Sequence, residues 1–133
     1  MDRLFLDANI LFSAAYRSDS ALVQLWDLEN VELLTSPYTI AEAFRNLQRY
    51  ESSRISNLEA LVENLTIVSH EKIREDDPAL SALPDKDQPI LAAAIAAGAT
   101  HLITGDRRHF GKWFGKRVKG VLIQSPSEYL VKD

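Results

Sequence analysis

Leu4-Phe5-Leu6-Asp7-Ala8-Asn9-Ile10-Leu11 decides the fold. Three consecutive large apolar residues end on a carboxylate, and a helix-period run begins directly behind it. A short continuous apolar run is what a strand buried on both faces looks like, and such strands belong to parallel sheets covered by helices. Arg3 to Asp7 is therefore read as a buried strand, with Asp7 at its carboxyl end. That is the edge at which sheets of this kind bind ligands.

The same junction recurs outward from this stretch. Asn9 to Ala15 and Ser20 to Leu28 read as helix, the latter with Leu22, Val23, Leu25, Trp26 and Leu28 on an apolar stripe and cap oxygens at Ser18, Asp19 and Ser20. Val31 to Thr35 is a second strand. Ser36-Pro37 is an N-cap followed by proline at the first helical position, and the helix runs to about Tyr50 with Ile40, Phe44 and Leu47 inward. Ser53 to Asn64 repeats the pattern with Ile55, Leu58, Leu61 and Val62. Leu65 to Ser69 is a third strand, and residues 70–84, acidic and proline-bearing, form a loop with room for a short helix. Ile90 to Ala97 is helical and stopped by Gly98 as a C′ glycine. His101 to Thr104 is a fourth strand and Gly105 begins a turn. Residues 106–117 are a short helix or irregular basic loop, Val118 to Ile123 a fifth strand, and Ser125-Pro126 caps a last turn of helix. Strands alternating with helices predict an α/β fold with a central, mainly parallel sheet of about five strands, helices on both faces.

The 133 residues, 46 % hydrophobic and 26 % charged, form one domain, 1–133. The absence of cysteine excludes a disulfide framework, thiolate chemistry and cysteine-ligated metal. With no apolar run of about 18 residues and no signal-peptide pattern at Met1–Asp7, the expectation is a cytoplasmic protein. The net charge of −4 conceals patterning. Residues 107–119 carry Arg107, Arg108, Lys112, Lys116, Arg117 and Lys119 without an acid, a stripe of +6 in a chain that is −10 elsewhere.

Four elements bring an acid to one edge of the predicted sheet. Asp7 ends the first strand and Asp106 follows the fourth. Asp85 and Asp87 open the helix that feeds the fourth strand, and Glu42 lies in the first two turns after the second. Converging carboxylates repel unless a cation sits among them. With no cysteine and only three histidines, an oxygen-only ligand set is expected; it suits Mg²⁺ or Mn²⁺, one ion or two, and the chemistry such a site serves is phosphodiester hydrolysis. Each acid also has a plainer reading. Asp85 is a helix cap with Gln88 as capping-box partner, Asp87 starts a helix with Pro89 behind it, and Glu42 is an exposed helix residue. Asp7 resists that reading, because an unpaired charge at the end of an apolar strand is costly. Asn9 either orients Asp7 or caps a helix beginning at Ile10, and Thr104 either orients Asp106 or is a β-branched strand residue. His70, His101 and His109 are read as structural or surface residues.

Four pieces in order carry a resemblance. They are Phe5-Leu6-Asp7-Ala8-Asn9-Ile10-Leu11, Leu34-Thr35-Ser36-Pro37-Tyr38-Thr39-Ile40-Ala41-Glu42, Asp87-Gln88-Pro89-Ile90-Leu91-Ala92-Ala93-Ala94 and Leu102-Ile103-Thr104-Gly105-Asp106-Arg107-Arg108-His109-Phe110. Over nearly its whole length the chain resembles the PIN domain, and within it the stand-alone VapC-type toxins of toxin–antitoxin pairs. The resemblance implies a three-layer α/β/α sandwich. It implies a metal-dependent endoribonuclease whose metal-binding, catalytic acids are Asp7, Glu42, Asp87 and Asp106, with Asp87 rather than Asp85 as the third acid. Asn9 and Thr104 hold the cluster in place. Mg²⁺ or Mn²⁺ is the implied cofactor, RNA the substrate, and an antitoxin protein and a second copy of the chain the implied partners. The apolar stripe of residues 40–62 is compatible with such a homodimer. Arg107 and Arg108 are the expected substrate contacts, since phosphate contacts by basic residues supply most sequence-independent affinity. Rival readings are a PIN-like RNA-processing nuclease without an antitoxin, and a non-catalytic module that binds RNA or a protein.

Overall fold

The computed structural model describes residues 1–17, 19–68 and 80–131. The cap oxygen expected at Ser18, the end of the third strand at Ser69, His70, and most of the 70–84 loop lie outside the described residues. One sheet holds β1 (Asp2–Leu6), β2 (Val31–Thr35), β3 (Thr66–Ile67), β4 (His101–Ile103), β5 (Arg117–Val118) and β6 (Val121–Gln124), in the order β3-β2-β1-β4-β6-β5. All neighbours pair in parallel except β5 with β6.

Leu4, Phe5 and Leu6 are each fully buried, which their unbroken apolar run demands of the sheet's centre. Successive side chains point to opposite faces. Leu4 and Leu6 join Leu33 and Ile103 in a core covered by α1 (Ala8–Tyr16), α2 (Pro37–Glu51) and α3 (Ile55–Val62). Phe5, Leu34 and Leu102 join the opposite core, covered by α4 (Gln88–Ala96) and by Phe110 of α5 (Arg107–Phe110). The molecule is thus a three-layer sandwich. Truncating Phe5 to alanine is expected to cost about 3–5 kcal/mol.

Local signals place most boundaries. Ser36 accepts a hydrogen bond from the Thr39 amide at 3.2 Å and so caps α2. Gly98 ends α4 at φ 70°, a conformation glycine adopts without strain. Ser125 and Glu128 form a reciprocal capping box at the start of α6 (Pro126–Leu130).

Three expectations are corrected. Val118 to Ile123 is a hairpin rather than one strand, so the sheet has six strands. Lys119 and Gly120 have φ of 53° and 88°, the pair of positive values that a two-residue primed turn requires. Ser20 to Leu28 is not an α-helix. Ala21–Asp27 winds as a 3₁₀ helix, held where the Trp26 indole donates to the Leu61 carbonyl at 3.0 Å. A 3₁₀ turn, Ser52–Arg54, likewise precedes α3.

The chain winds outward from β1 through β2 to β3, then returns to place β4 on the other side of β1. The winding direction reverses between β1 and β4. Their carboxyl ends form the crevice in which open α/β sheets bind ligands.

Candidate active site

Asp7 leaves β1 in that crevice, 3 % exposed, and its carboxylate is thoroughly hydrogen-bonded. Oδ1 accepts from the Ala8 amide at 2.7 Å, and Asp7 is the N-cap of α1. Oδ2 accepts from the Thr104 hydroxyl at 2.7 Å and from Asn9 Nδ2 at 3.1 Å. Asn9 is therefore no helix cap. Its amide bridges β1 to the turn after β4, with Oδ1 accepting from the Gly105 amide at 2.9 Å. Thr104 Oγ1 accepts from the Asp106 amide at 3.1 Å, so the orienting role rather than the plain strand role describes it.

Asp106 follows directly and caps α5. Its Oδ1 accepts from the amides of Arg108 and His109 at 3.1 and 3.0 Å. Asp87 occupies the N-cap position of α4 but makes no capping hydrogen bond with its side chain. It is 4 % exposed, and its Oδ2 has no hydrogen-bond partner. The plainer reading of Asp87 as a cap thus fails. Asp85 is exposed, where the Gln88 side chain donates to it at 3.4 Å without a capping box. Glu42 is half-buried on α2 and faces the same crevice.

Asp7, Asn9, Glu42, Asp87 and Asp106 line one open cleft of about 700 Å³, with Lys86 and Arg107 on its wall. Crowding acids out of water has electrostatic consequences. Burial pushes the Asp7 carboxyl up to about 6, further raised by Glu42 and Asp87 and opposed by the hydrogen bonds from Thr104 and Ala8. Glu42 is raised by burial and by Asp87 and Asp106, against the opposing charges of Lys86 and Arg45. Asp87 is raised by burial and by Asp106, while His109 and Lys86 pull it down.

Two residues escaped the sequence reading. Lys86 carries its charge to the acids, and no motif marks it. His109, taken as structural or surface, lies inside the cluster, with Nδ1 2.9 Å from Oδ2 of both Asp87 and Asp106. The signal was its i,i+3 spacing from Asp106, which puts both on one face once residues 107–110 are helical. Asp87, Asp106 and His109 hold ligand atoms within 4.8 Å of one another. A buried carboxylate oxygen without an aligned hydrogen bond, beside a second carboxylate and an imidazole nitrogen, fits a divalent cation.

Of the basic residues, Arg107 lines the cleft with its guanidinium over the Phe114 ring at 5.2 Å. Arg108 is exposed and does not line it. Phe110 is buried, and Trp113 and Phe114 pack against the second core, so these aromatics hold the basic segment to the sheet.

The PIN domain family model matches residues 3–108. Among solved structures, the chain is 17 % identical to VapBC2 from Rickettsia felis, bound to a DNA fragment from their promoter, with a TM-score of 0.70 over 92 % of this chain and 98 % of that one. DNA-bound VapBC from Salmonella typhimurium gives 15 % identity and a TM-score of 0.70 over 95 % and 99 %. VapC20 of Mycobacterium tuberculosis, described as a sarcin-ricin loop cleaving toxin, gives 14 % identity and 0.63 over 87 % and 97 %. No curated protein matches the sequence. At these identities the likeness to solved structures concerns the fold, and the sandwich is the fold they share. The chain belongs to the PIN domain family.

Proposed function

We propose that the chain is a metal-dependent endoribonuclease acting as the toxin of a toxin–antitoxin pair in the cytoplasm. The observation that carries the reading is the buried Oδ2 of Asp87, without an aligned hydrogen bond, among acids at the sheet's switch point. A cation takes the place of the missing donor. Asp7, Glu42, Asp87 and Asp106 would hold one or two Mg²⁺ or Mn²⁺ ions, directly or through water, with Asn9 completing the surroundings. A bound ion supplies Lewis acidity to a phosphodiester and lowers the pKa of water. Thr104 and Asn9 fix the rotamer of Asp7. Lys86 and Arg107 draw the phosphate backbone toward a cleft that its acids otherwise make repulsive. The VapBC complexes among the fold's solved relatives support an antitoxin partner.

Cleavage of RNA is measured with Mg²⁺ or Mn²⁺, with EDTA, and for Asp7→Asn, each alongside a thermal melt. The expected result is activity with metal and none in either control, with folding intact. Full activity in EDTA defeats the mechanism, and binding of RNA without cleavage favours the non-catalytic module. An upstream gene for a small DNA-binding protein is expected for a toxin, whereas its absence favours a solitary RNA-processing nuclease. A homodimer belongs to the proposal by resemblance to the family. The stripe of residues 40–62 does not support it, since Ile40, Phe44, Leu47, Ile55, Leu58, Leu61 and Val62 all pack into the chain's own first core. Light scattering on the purified chain decides the oligomeric state.

A further inference from the structure

We infer that His109 Nδ1 is a nitrogen ligand of the cation held by Asp87 and Asp106, which makes the site prefer Mn²⁺ to Mg²⁺. The inference deepens the metal-dependent reading and rests on it.

Three observations carry it. First, Nδ1 lies 2.9 Å from Oδ2 of Asp87 and 2.9 Å from Oδ2 of Asp106. That separation suits either a hydrogen bond or two neighbouring ligands of one octahedral ion, whose bonds of about 2.1 Å set adjacent donors about 3 Å apart. Second, neither His109 Nδ1 nor Asp87 Oδ2 makes an aligned hydrogen bond although both atoms are buried, so a neutral imidazole leaves the 2.9 Å contact without a proton to bridge it. Buried polar atoms left unmatched at contact distance are costly, and a shared cation satisfies them together. Third, the ring is held in place. The His109 amide donates to Asp106 Oδ1 at 3.0 Å, so the carboxylate that anchors the backbone with one oxygen meets the imidazole with the other.

The donor set then decides the metal. Carboxylate oxygens alone serve Mg²⁺ well, whereas an imidazole nitrogen favours transition-series ions, for which affinity rises from Mn²⁺ onward. The acids supply the charge and His109 supplies the discrimination.

Mn²⁺ is titrated into the metal-free full chain and the bound ion examined by pulsed electron paramagnetic resonance. The expected spectrum shows ¹⁴N coupling from a directly bound imidazole, converted to the ¹⁵N pattern by ¹⁵N-histidine labelling and absent in His109→Asn. The same substitution is expected to weaken Mn²⁺ binding by at least about tenfold, read by calorimetry, with Mg²⁺ binding little changed. Mn²⁺ bound without nitrogen coupling in the unsubstituted protein overturns the assignment of His109 and leaves the metal reading standing. Coupling that persists in His109→Asn also overturns it. Failure to bind Mn²⁺ while Mg²⁺ binds overturns the assignment alone, and failure to bind either ion overturns both readings. The spectrum of the unsubstituted protein is decisive even if the variant folds poorly.

Discussion

The cleft has two halves built on opposite rules. Around Asp7, every carboxylate oxygen has a donor: Ala8, Asn9 and Thr104 supply three hydrogen bonds, and Asn9 accepts a fourth from the Gly105 amide. Around Asp87, the buried Oδ2 has no aligned hydrogen bond, and neither has His109 Nδ1, 2.9 Å away. The saturated half belongs to the backbone junction between β1 and β4 and holds Asp7 in position, while Oδ1, with one donor, keeps a lone pair for a cation. In the unsaturated half no aligned hydrogen bond reaches the buried oxygen, so a bound cation is expected to change most there. A charge held by donors is fixed in position, whereas a charge without them keeps its coordination capacity.

Removing a group from the unsaturated half should produce the largest effect on activity and a small one on stability. Asp87→Asn is expected to lower RNA cleavage at least about 10³-fold, a loss of about 4 kcal/mol in transition-state stabilisation. Its melting temperature should hardly move. Retained cleavage by this variant would erase the difference between the halves.

The saturated half should answer through pH. Asp7 is raised from 3.8 to about 6 mainly by burial, so the folded, metal-free protein binds its proton more tightly than the unfolded chain does. The stability this contributes is fully present below about pH 4 and is lost as pH rises through about 6, on the order of 3 kcal/mol in all. Asp7→Asn should remove that dependence from denaturation curves taken between those limits. At neutral pH the relief competes with a donor left facing the new amide, which costs about 1–3 kcal/mol. The expected outcome is a metal-free variant about as stable as the parent or somewhat more so. A loss well beyond that range would mean that the carboxylate itself holds the junction together.

Thr104→Val isolates the scaffold's hydroxyl. It strips the 2.7 Å donor from Asp7 and the acceptor from the Asp106 amide, at an expected cost of about 1–3 kcal/mol in chemical denaturation. Arg107→Ala should have a smaller effect: weaker RNA binding and a salt dependence reduced by roughly one phosphate contact. Arg108→Ala, off the cleft, should do less still.

The sequence made much of this legible. An apolar strand ending on Asp7, repeated strand–helix junctions and caps at Ser36 and Gly98 were enough for the α/β class and for the edge where the acids gather. Those signals are local, set by burial periodicity and by backbone groups that need a partner nearby. The Lys119-Gly120 turn was equally local but was read as strand, because the flanking apolar residues dominated the pattern. The 3₁₀ winding of Ala21–Asp27 was less accessible, since the Trp26 bond to Leu61 spans 35 positions.

What the sequence by itself determined, then, is that acids stand at one edge of a covered parallel sheet, because alternation and caps are encoded within a few residues. Only the tertiary structure decided which acids are satisfied and which are open. Asp87 and Asp106 are 19 positions apart in the chain, and no spacing rule says that His109 meets both. Their meeting depends on β4 returning beside β1 and on α5 turning its face toward α4. The coordination capacity of a site is a property of distances across the fold, and those exist only after the cores have packed.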